Sequence, residues 1–152
     1  MTGFLMAFVA SVLAAGSVGT QQRVADGHYQ PPSREDFDHA KHFPYVASQS
    51  RVASIRKGVA ALRRCVPESE VRGLLGTPDF GMTLYMESKN PGPKQPWVTL
   101  WYYYLAKPAS QDGATDAYVL IMLSGKQRLS AVSMHEVPDL AGIDNSKAKA
   151  CE

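Results

Sequence analysis

The spacing of apolar residues changes near Pro78, and this change constrains the fold more than any other feature of the chain. Before Pro78 the apolar residues recur at intervals of three and four, and after Asp79 they alternate with a period of two. The first spacing is typical of an amphipathic helix and the second of a β-strand. The order predicts an α+β fold in which two N-terminal helices pack on one face of an antiparallel meander sheet of three to four strands.

The predicted first helix spans Ser48 to Arg64 and carries a single apolar stripe. The stripe consists of Val52, Ile55, Val59 and Leu62. A short second helix begins at Pro67, because proline suits the first helical position and acidic residues follow it in the first turn. Gly76 and Pro78 are suited to end that helix.

Segments rich in aromatic and β-branched residues predict four strands, at 82–87, 97–105, 117–123 and 128–136. Alternation along the second strand places Trp97, Trp101 and Tyr103 on one face. The segment from Lys89 to Pro96 predicts a loop, because its prolines have no N–H to donate to a neighbouring strand.

The chain length and composition fit a single globular domain with 45% hydrophobic and 20% charged residues among 152. We assign residues 1–19 to a signal peptide, 20–46 to a flexible linker, 47–137 to the α+β domain and 138–152 to a C-terminal tail. The formal net charge is only +2. Since a nucleic-acid interface needs a concentrated basic surface, we expect no nucleic-acid partner.

The N-terminal segment predicts export. From Phe4 to Ala15 the chain has no charged residue, and small residues follow, which is typical of a signal peptide and its cleavage zone. No Lys or Arg precedes that segment, so an uncleaved N-terminal anchor remains an alternative. We expect a periplasmic or secreted protein after cleavage. In an oxidising compartment Cys65 and Cys151 are predicted to form a disulfide, with two free thiols as the alternative.

The segment from Val71 to Pro78 has the sequence Val-Arg-Gly-Leu-Leu-Gly-Thr-Pro, which is similar to a Val-x-x-x-Leu-Gly-x-Pro motif that ends a second helix. Trp101-Tyr102-Tyr103 on a strand and Leu129-Ser130-Ala131-Val132 after a glycine turn are further similarities. Over roughly residues 60 to 136 the chain resembles the SmpA/OmlA family, the BamE-like small subunits of the outer-membrane protein assembly machinery. That fold is shared by the β-lactamase inhibitory proteins.

The resemblance implies a BamE-like fold and a protein partner in the cell envelope. Two segments depart from the family pattern. Cys65-Val66-Pro67 replaces the Gly-Met-Thr that precedes the second helix, and Gly16 stands where the lipoprotein members carry their acylated cysteine. The sequence therefore predicts no lipid anchor.

Residues suited to catalysis are few. His39 and His42 lie near acidic residues but within the predicted linker, and His28 and His135 are expected to lie at the surface. No common nucleophile, phosphate-binding or zinc motif is present, so we expect no cofactor and no metal. An enzyme that uses Cys65 or the histidines is a third hypothesis, after the two below.

The strongest binding signal is aromatic. Trp97, Trp101 and Tyr103 are the candidate partner-binding residues, with the alternative that they form the core under the helices. The first hypothesis is a non-catalytic binding or scaffold module of the cell envelope that uses this aromatic face. The alternative is a secreted inhibitor of a hydrolase, in which the loop from Asn90 to Pro96 enters the target's cleft.

Overall fold

The computed structural model describes residues 29–86, 94–109, 111 and 113–139. In this part the chain has three helices and five antiparallel strands, which confirms the predicted α+β class. The elements are α1 (Arg34–Ala40), β1 (Tyr45–Val46), α2 (Gln49–Ala61), α3 (Glu68–Leu75), β2 (Phe80–Tyr85), β3 (Pro96–Lys107), β4 (Ala117–Ser124) and β5 (Leu129–His135).

The long strand β3 organises the sheet. Along one side it pairs with β4, which pairs in turn with the edge strand β5. On the other side β3 pairs with β2 near its beginning and with the two-residue β1 near its end. The sheet therefore has five strands where the sequence predicts three to four, and the additional strand is β1.

Helices α2 and α3 cover one face of the sheet, which we call the inner face. Three of the four residues of the predicted helical stripe are buried there, and Val52 packs against them. The buried residues of this core are Ile55, Val59, Leu62, Val71, Leu75, Trp101, Tyr103, Leu105, Val119, Ile121, Leu123, Leu129, Val132 and Val137. The apolar stripe of α2, whose residues are spaced by three and four, thus packs on a sheet face formed by every second residue of the strands.

The two helices approach closely at Gly58. A Cβ atom on Gly58 would lie 2.5 Å from the carbonyl oxygen of Leu74 and 2.6 Å from Leu75 Cδ2. Any larger residue would push the helices apart. Helix α3 ends at Gly76, whose φ of +77° is in the left-handed region that glycine adopts without strain.

Helix α1 lies within the segment that the sequence predicts to be a flexible linker. Residues 34–40 are helical and Tyr45–Val46 form a strand, so this part of the predicted linker is folded. Ser33 caps α1 by a reciprocal capping box with Asp36. Phe37, the buried residue of α1, packs on the sheet face opposite α2 and α3, which we call the outer face.

Several predicted features fall outside the described residues. These are the signal peptide, the linker up to residue 28, most of the loop from Asn90 to Pro96, and the tail from residue 140 onward. At the near end of the predicted tail, Asp139 lies 3.8 Å from Arg56 of α2. Within the described ranges, none of the three helices has the length and apolar character needed to cross a bilayer.

Candidate protein-binding surface

The outer face of the sheet has two halves with different surroundings. In one half, aromatic rings from α1, the segment after it and four strands form a cluster. This aromatic cluster consists of Phe37, Phe43, Tyr45, Phe80, Tyr102, Tyr104 and Tyr118. Phe37 stacks on Tyr104 with ring centroids 5.3 Å apart, and Phe80 stacks on Tyr102 at 4.5 Å. Helix α1 therefore closes this half of the face.

Aliphatic and methionine side chains occupy the other half. Strand pairing places Leu84 opposite Val98, and it places Met82 opposite Leu100, which pairs in turn with Met122. Each residue is an even number of positions from Phe80, Tyr102 or Tyr118 on its own strand, so all lie on the outer face. With Leu120 they form a surface that we call the outer patch: Met82, Leu84, Val98, Leu100, Leu120 and Met122.

The outer patch is open to solvent. Met82 is 43% exposed and Leu84 is 41% exposed, and the other four members are half-buried. Single exposed apolar residues are common on protein surfaces, but two exposed and four half-buried residues on three paired strands make a contiguous patch. Such patches are typical of surfaces that bind a partner.

The structure corrects two of the three predicted partner-binding residues. Trp101 and Tyr103 are completely buried beneath α2 and α3, so they belong to the core and offer no contact surface. The hydroxyl of Tyr103 donates to the carbonyl oxygen of Gly76, and burial raises its pKa well above the ordinary value. Trp97 lies on the same face but is 61% exposed near the beginning of β3.

Cys65 lies in the corner between α2 and α3. Its φ is +63°, its N–H donates to the carbonyl oxygen of Leu129 at 2.9 Å, and its own carbonyl oxygen accepts from Arg128. These bonds fasten the corner to the start of β5. Cys151 lies outside the described residues, so the disulfide between Cys65 and Cys151 stays a prediction.

Asp79 joins the helical layer to the sheet. Its Oδ2 accepts hydrogen bonds from Arg51 of α2 at 3.0 Å and from the N–H of Tyr104 at 2.8 Å. Lys41 Nζ lies 3.9 Å from Oδ1. Because this buried carboxylate is matched by two cations and a backbone donor, its contacts are those of a structural ion pair.

A second buried ion pair lies where β3 leads into β4. Lys107 Nζ and Asp116 Oδ2 are 2.8 Å apart, and both side chains are buried. Lys107 Nζ also donates to the carbonyl oxygen of Gln111, and the Asp116 carboxylate accepts from the N–H of Gly113. His135 of β5 donates through Nδ1 to the carbonyl oxygen of Asp116. These contacts hold the β3–β4 connection against the end of the sheet.

The remaining described histidines lie at the surface. His39 is within 3.7 Å of Glu35 on α1, with both side chains more than four-fifths exposed, and His42 is exposed. His28 precedes the described residues. Within the described ranges, no group of three or more His, Cys, Asp or Glu residues is arranged to hold a metal ion.

The chain matches no protein-family model, no curated protein and no solved structure. The resemblance to the SmpA/OmlA family therefore remains a prediction from sequence motifs.

The sequence prediction of a binding surface relied on aromatic residues and therefore did not include the outer patch. Alternation along β3 places Val98 and Leu100 opposite the tryptophans, but only the pairing register brings Met82, Leu84 and Met122 beside them. The usable signal in the sequence was the apolar character of both faces of the strands around residues 98 and 122. When strands are apolar on both sides, each sheet face is either buried by other elements of the chain or available to bind a partner.

Proposed function

We propose that the protein is a non-catalytic binding module of the cell envelope, periplasmic or secreted, which holds a protein partner on the outer patch. The observation that carries this proposal is the exposure of Met82 and Leu84 within the patch. Burying these side chains against a partner removes apolar surface from water, a gain of about 25 cal/mol per Å². Folding of the chain by itself does not provide that gain.

The described polar groups favour binding over catalysis. Asp79 and Asp116 are each tied to a cation and to a backbone N–H, and His135 is tied to a backbone carbonyl oxygen. A general acid or base needs a group that is within reach of a substrate and is free to exchange a proton. These three groups are instead engaged in contacts that hold strands and helices together.

We further propose that α2, α3 and the strands β2–β5 form a BamE-like domain. Support comes from the packing of two consecutive helices on one face of an antiparallel sheet and from the position of the Leu-Gly-x-Pro motif at the end of α3. Helix α1 and strand β1 are additions to that arrangement. An experimental structure that superposes poorly on BamE-like domains would contradict this part of the proposal.

Site-specific photo-crosslinking tests the proposed surface. A photoreactive amino acid is placed at Leu84, and in a matched control at Lys57, which is exposed on α2. We expect cross-linking in the producing cells to join the Leu84 variant to a distinct envelope protein, identified by mass spectrometry, with no corresponding product from the Lys57 variant.

Three outcomes would count against the proposal. Equal products from both positions would mean that the outer patch is not the contact surface. Recovery of the unprocessed chain from the cytosol would contradict its envelope location. Cross-linking to a single hydrolase that the purified chain inhibits would favour the inhibitor hypothesis instead.

A further inference from the structure

A groove of about 490 Å³ lies on the inner face of the sheet, beyond the end of the helical layer. One wall is the extended segment from Tyr29 to Pro31, and the other walls are the paired ends of β2 and β3 and the turn that precedes β5. Its volume falls within the range of about 300 to 1,000 Å³ that is usual for small-ligand sites. The groove shares Met82 with the outer patch, but its wall residues Thr83 and Thr99 lie on the inner face. The inference below concerns a ligand of this groove and goes beyond the proposed protein partner.

The inner wall of this groove carries a chain of polar side chains. The hydroxyl oxygens of Thr83 and Thr99 are 3.2 Å apart, and the amide Nε2 of Gln127 donates to Thr99 Oγ1 at 3.2 Å. Thr99 and Gln127 are buried. On the same face of β3, Trp101 and Tyr103 belong to the apolar core, so a valine at position 99 would continue it without the desolvation cost of a hydroxyl.

Gln127 reaches this wall from a backbone conformation that is uncommon for its residue type. Its φ is +55°, in the left-handed region, and its N–H donates to the carbonyl oxygen of Ser124 to close the turn. Glycine or asparagine adopts that conformation at less cost. A glutamine there gains nothing for the turn, but its longer side chain brings an amide group to Thr99. Strained residues of this kind are frequent at ligand-binding sites.

A donor without a partner lies directly behind the groove. The indole nitrogen of Trp101 is buried and has no hydrogen-bond partner among the described residues. Its neighbour in the ring, Cδ1, would be 2.9 Å from a Cβ atom on Gly81, and Gly81 and Tyr29 line the groove beside it. The Tyr29 ring meets the Trp101 indole edge-on with centroids 5.5 Å apart. Pro31 and Tyr29 thus pack over this part of the wall, and an unsatisfied donor is buried behind them.

Aromatic surface flanks these polar groups. Tyr85 lines the groove and is 52% exposed, and Trp97 lies two residues before Thr99 on the same face of β3. Among the described residues that line the groove, Lys94 alone carries a charge. Hydroxyl and amide groups next to an exposed ring, with little charge, match a ligand that is uncharged, has many hydroxyl groups and presents apolar C–H surface to the ring.

We propose that this polar groove binds a neutral saccharide. In this arrangement a sugar ring lies against Tyr85, and its hydroxyl groups exchange hydrogen bonds with Thr83, Thr99 and the side-chain amide of Gln127. Extended peptides are the main competing ligand, since they also carry amide groups. The hydroxyl and amide groups that line the groove beside the exposed ring of Tyr85 favour the saccharide.

Nuclear magnetic resonance of the isotope-labelled full chain tests the proposal. The probes are neutral trisaccharides of glucose, mannose, galactose and N-acetylglucosamine at millimolar concentration, with a Gly-Ser peptide of similar mass for comparison. We expect at least one trisaccharide to shift the side-chain amide of Gln127 and the indole N–H of Trp97 in a saturable manner, and the peptide to shift neither.

Two neighbouring substitutions provide the matched comparison. Tyr85→Ala removes the exposed ring that lines the groove and should weaken binding of that trisaccharide by about fivefold to tenfold. Leu84→Ala, one residue away on the outer face and similarly exposed, should leave it unchanged. Thr83→Val keeps the shape of the side chain and should weaken binding by removing one hydroxyl. Both Tyr85 and Leu84 are half-exposed, so both variants should fold.

Three results would overturn the proposal. One is the lack of any shift with all four trisaccharides. A second is binding that Tyr85→Ala and Leu84→Ala change equally. The third is saturable binding of the peptide alone, which would identify the groove as a peptide site.

Discussion

The two faces of the sheet differ in what covers them. Two helices cover the inner face and form a continuous core with it, whereas half of the outer face is closed by the seven-residue helix α1 and the other half is open. Both faces are apolar, but the covered surface contributes far more to folding. The exposed part of an apolar patch adds little stability and makes association easier, which favours a binding role for the outer patch.

The largest expected difference in the free energy of unfolding is between substitutions of two adjacent residues of β4, Ile121 and Leu120. Ile121 is completely buried on the inner face, and Leu120 is half-buried in the outer patch. We expect Ile121→Ala to lower the free energy of unfolding by about 4 kcal/mol, because it opens a cavity in a packed core. Leu120→Ala should cost only about 1 kcal/mol, since solvent and neighbouring side chains fill the space that it leaves. Urea denaturation of the two variants measures both values.

Equal losses in the two variants would mean that the outer face is packed as well as the inner face. The interpretation of the outer patch as an open surface would then be wrong. A change in the denaturant slope would need to be ruled out first, because it indicates an altered unfolded state.

The inner face was predictable because its signal is local and repeated. Val52, Ile55 and Val59 are spaced for one helical face, and the helix needs only that stripe to dock on a sheet. The outer face offered no such repeat. Phe37, Phe43 and Tyr45 are separated by six and two residues in a polar segment, so their convergence on Tyr104 depends on the tertiary fold.

The positions of the two tryptophans show the same limit. Alternation correctly places Trp97 and Trp101 on one face of β3, but it does not tell where the helices end. Helix α3 begins at Glu68, whose N–H donates to the carbonyl oxygen of Gln127, and the Gln127 side chain donates to Thr99, two residues after Trp97. The helical layer thus covers Trp101 and leaves Trp97 exposed, so one of the two residues belongs to the core and the other to the surface.

A substitution in α1 tests whether the closed half of the outer face unfolds separately. Phe37→Ala should lower the free energy of unfolding by about 2 kcal/mol, less than the ~3–5 kcal/mol usual for a phenylalanine in a continuous core. The loss is limited because α1 can detach while the inner core stays intact. Hydrogen exchange should become fast in residues 34–46 and remain slow in β4. Accelerated exchange throughout β4 would show instead that α1 and the inner core form one cooperative unit.

The N-terminal cap of α1 should affect the stability of this helix less than Phe37 does, and its contribution should depend on pH. Hydrogen bonds from the backbone N–H and side chain of Ser33 hold the pKa of Asp36 below its ordinary value. A carboxyl group with a lowered folded-state pKa stabilises the fold at pH above its ordinary pKa, and that contribution is lost as the pH falls through the lowered value. Protection of α1 from hydrogen exchange should therefore decrease in acid.

Replacing the capping residue should remove part of this dependence, because alanine keeps the backbone N–H but lacks the hydroxyl. Ser33→Ala should weaken α1 by about 1 kcal/mol, because the N–H of Asp36 loses its side-chain acceptor. The decrease in α1 protection between neutral and acidic pH should also become smaller than in the unsubstituted chain. An unchanged pH profile in Ser33→Ala would show that groups other than the capping box produce it.

Substitutions in the outer patch should have the smallest effect on stability. They should nevertheless have a large effect on binding, which distinguishes the outer face from the inner face. Met82→Ser and Leu84→Ser should each change the free energy of unfolding by no more than about 0.5 kcal/mol, because both side chains are already exposed. Together they should abolish cross-linking to the partner from a probe at Val98, which lies beside Leu84. Substitutions in a partner-binding surface abolish binding and leave the protein folded. Substitutions in a surface that packs in the folded core lower the stability of the fold instead. If the double variant unfolds readily and the partner is still captured, the outer patch belongs to the folded core and the proposed binding surface must lie elsewhere.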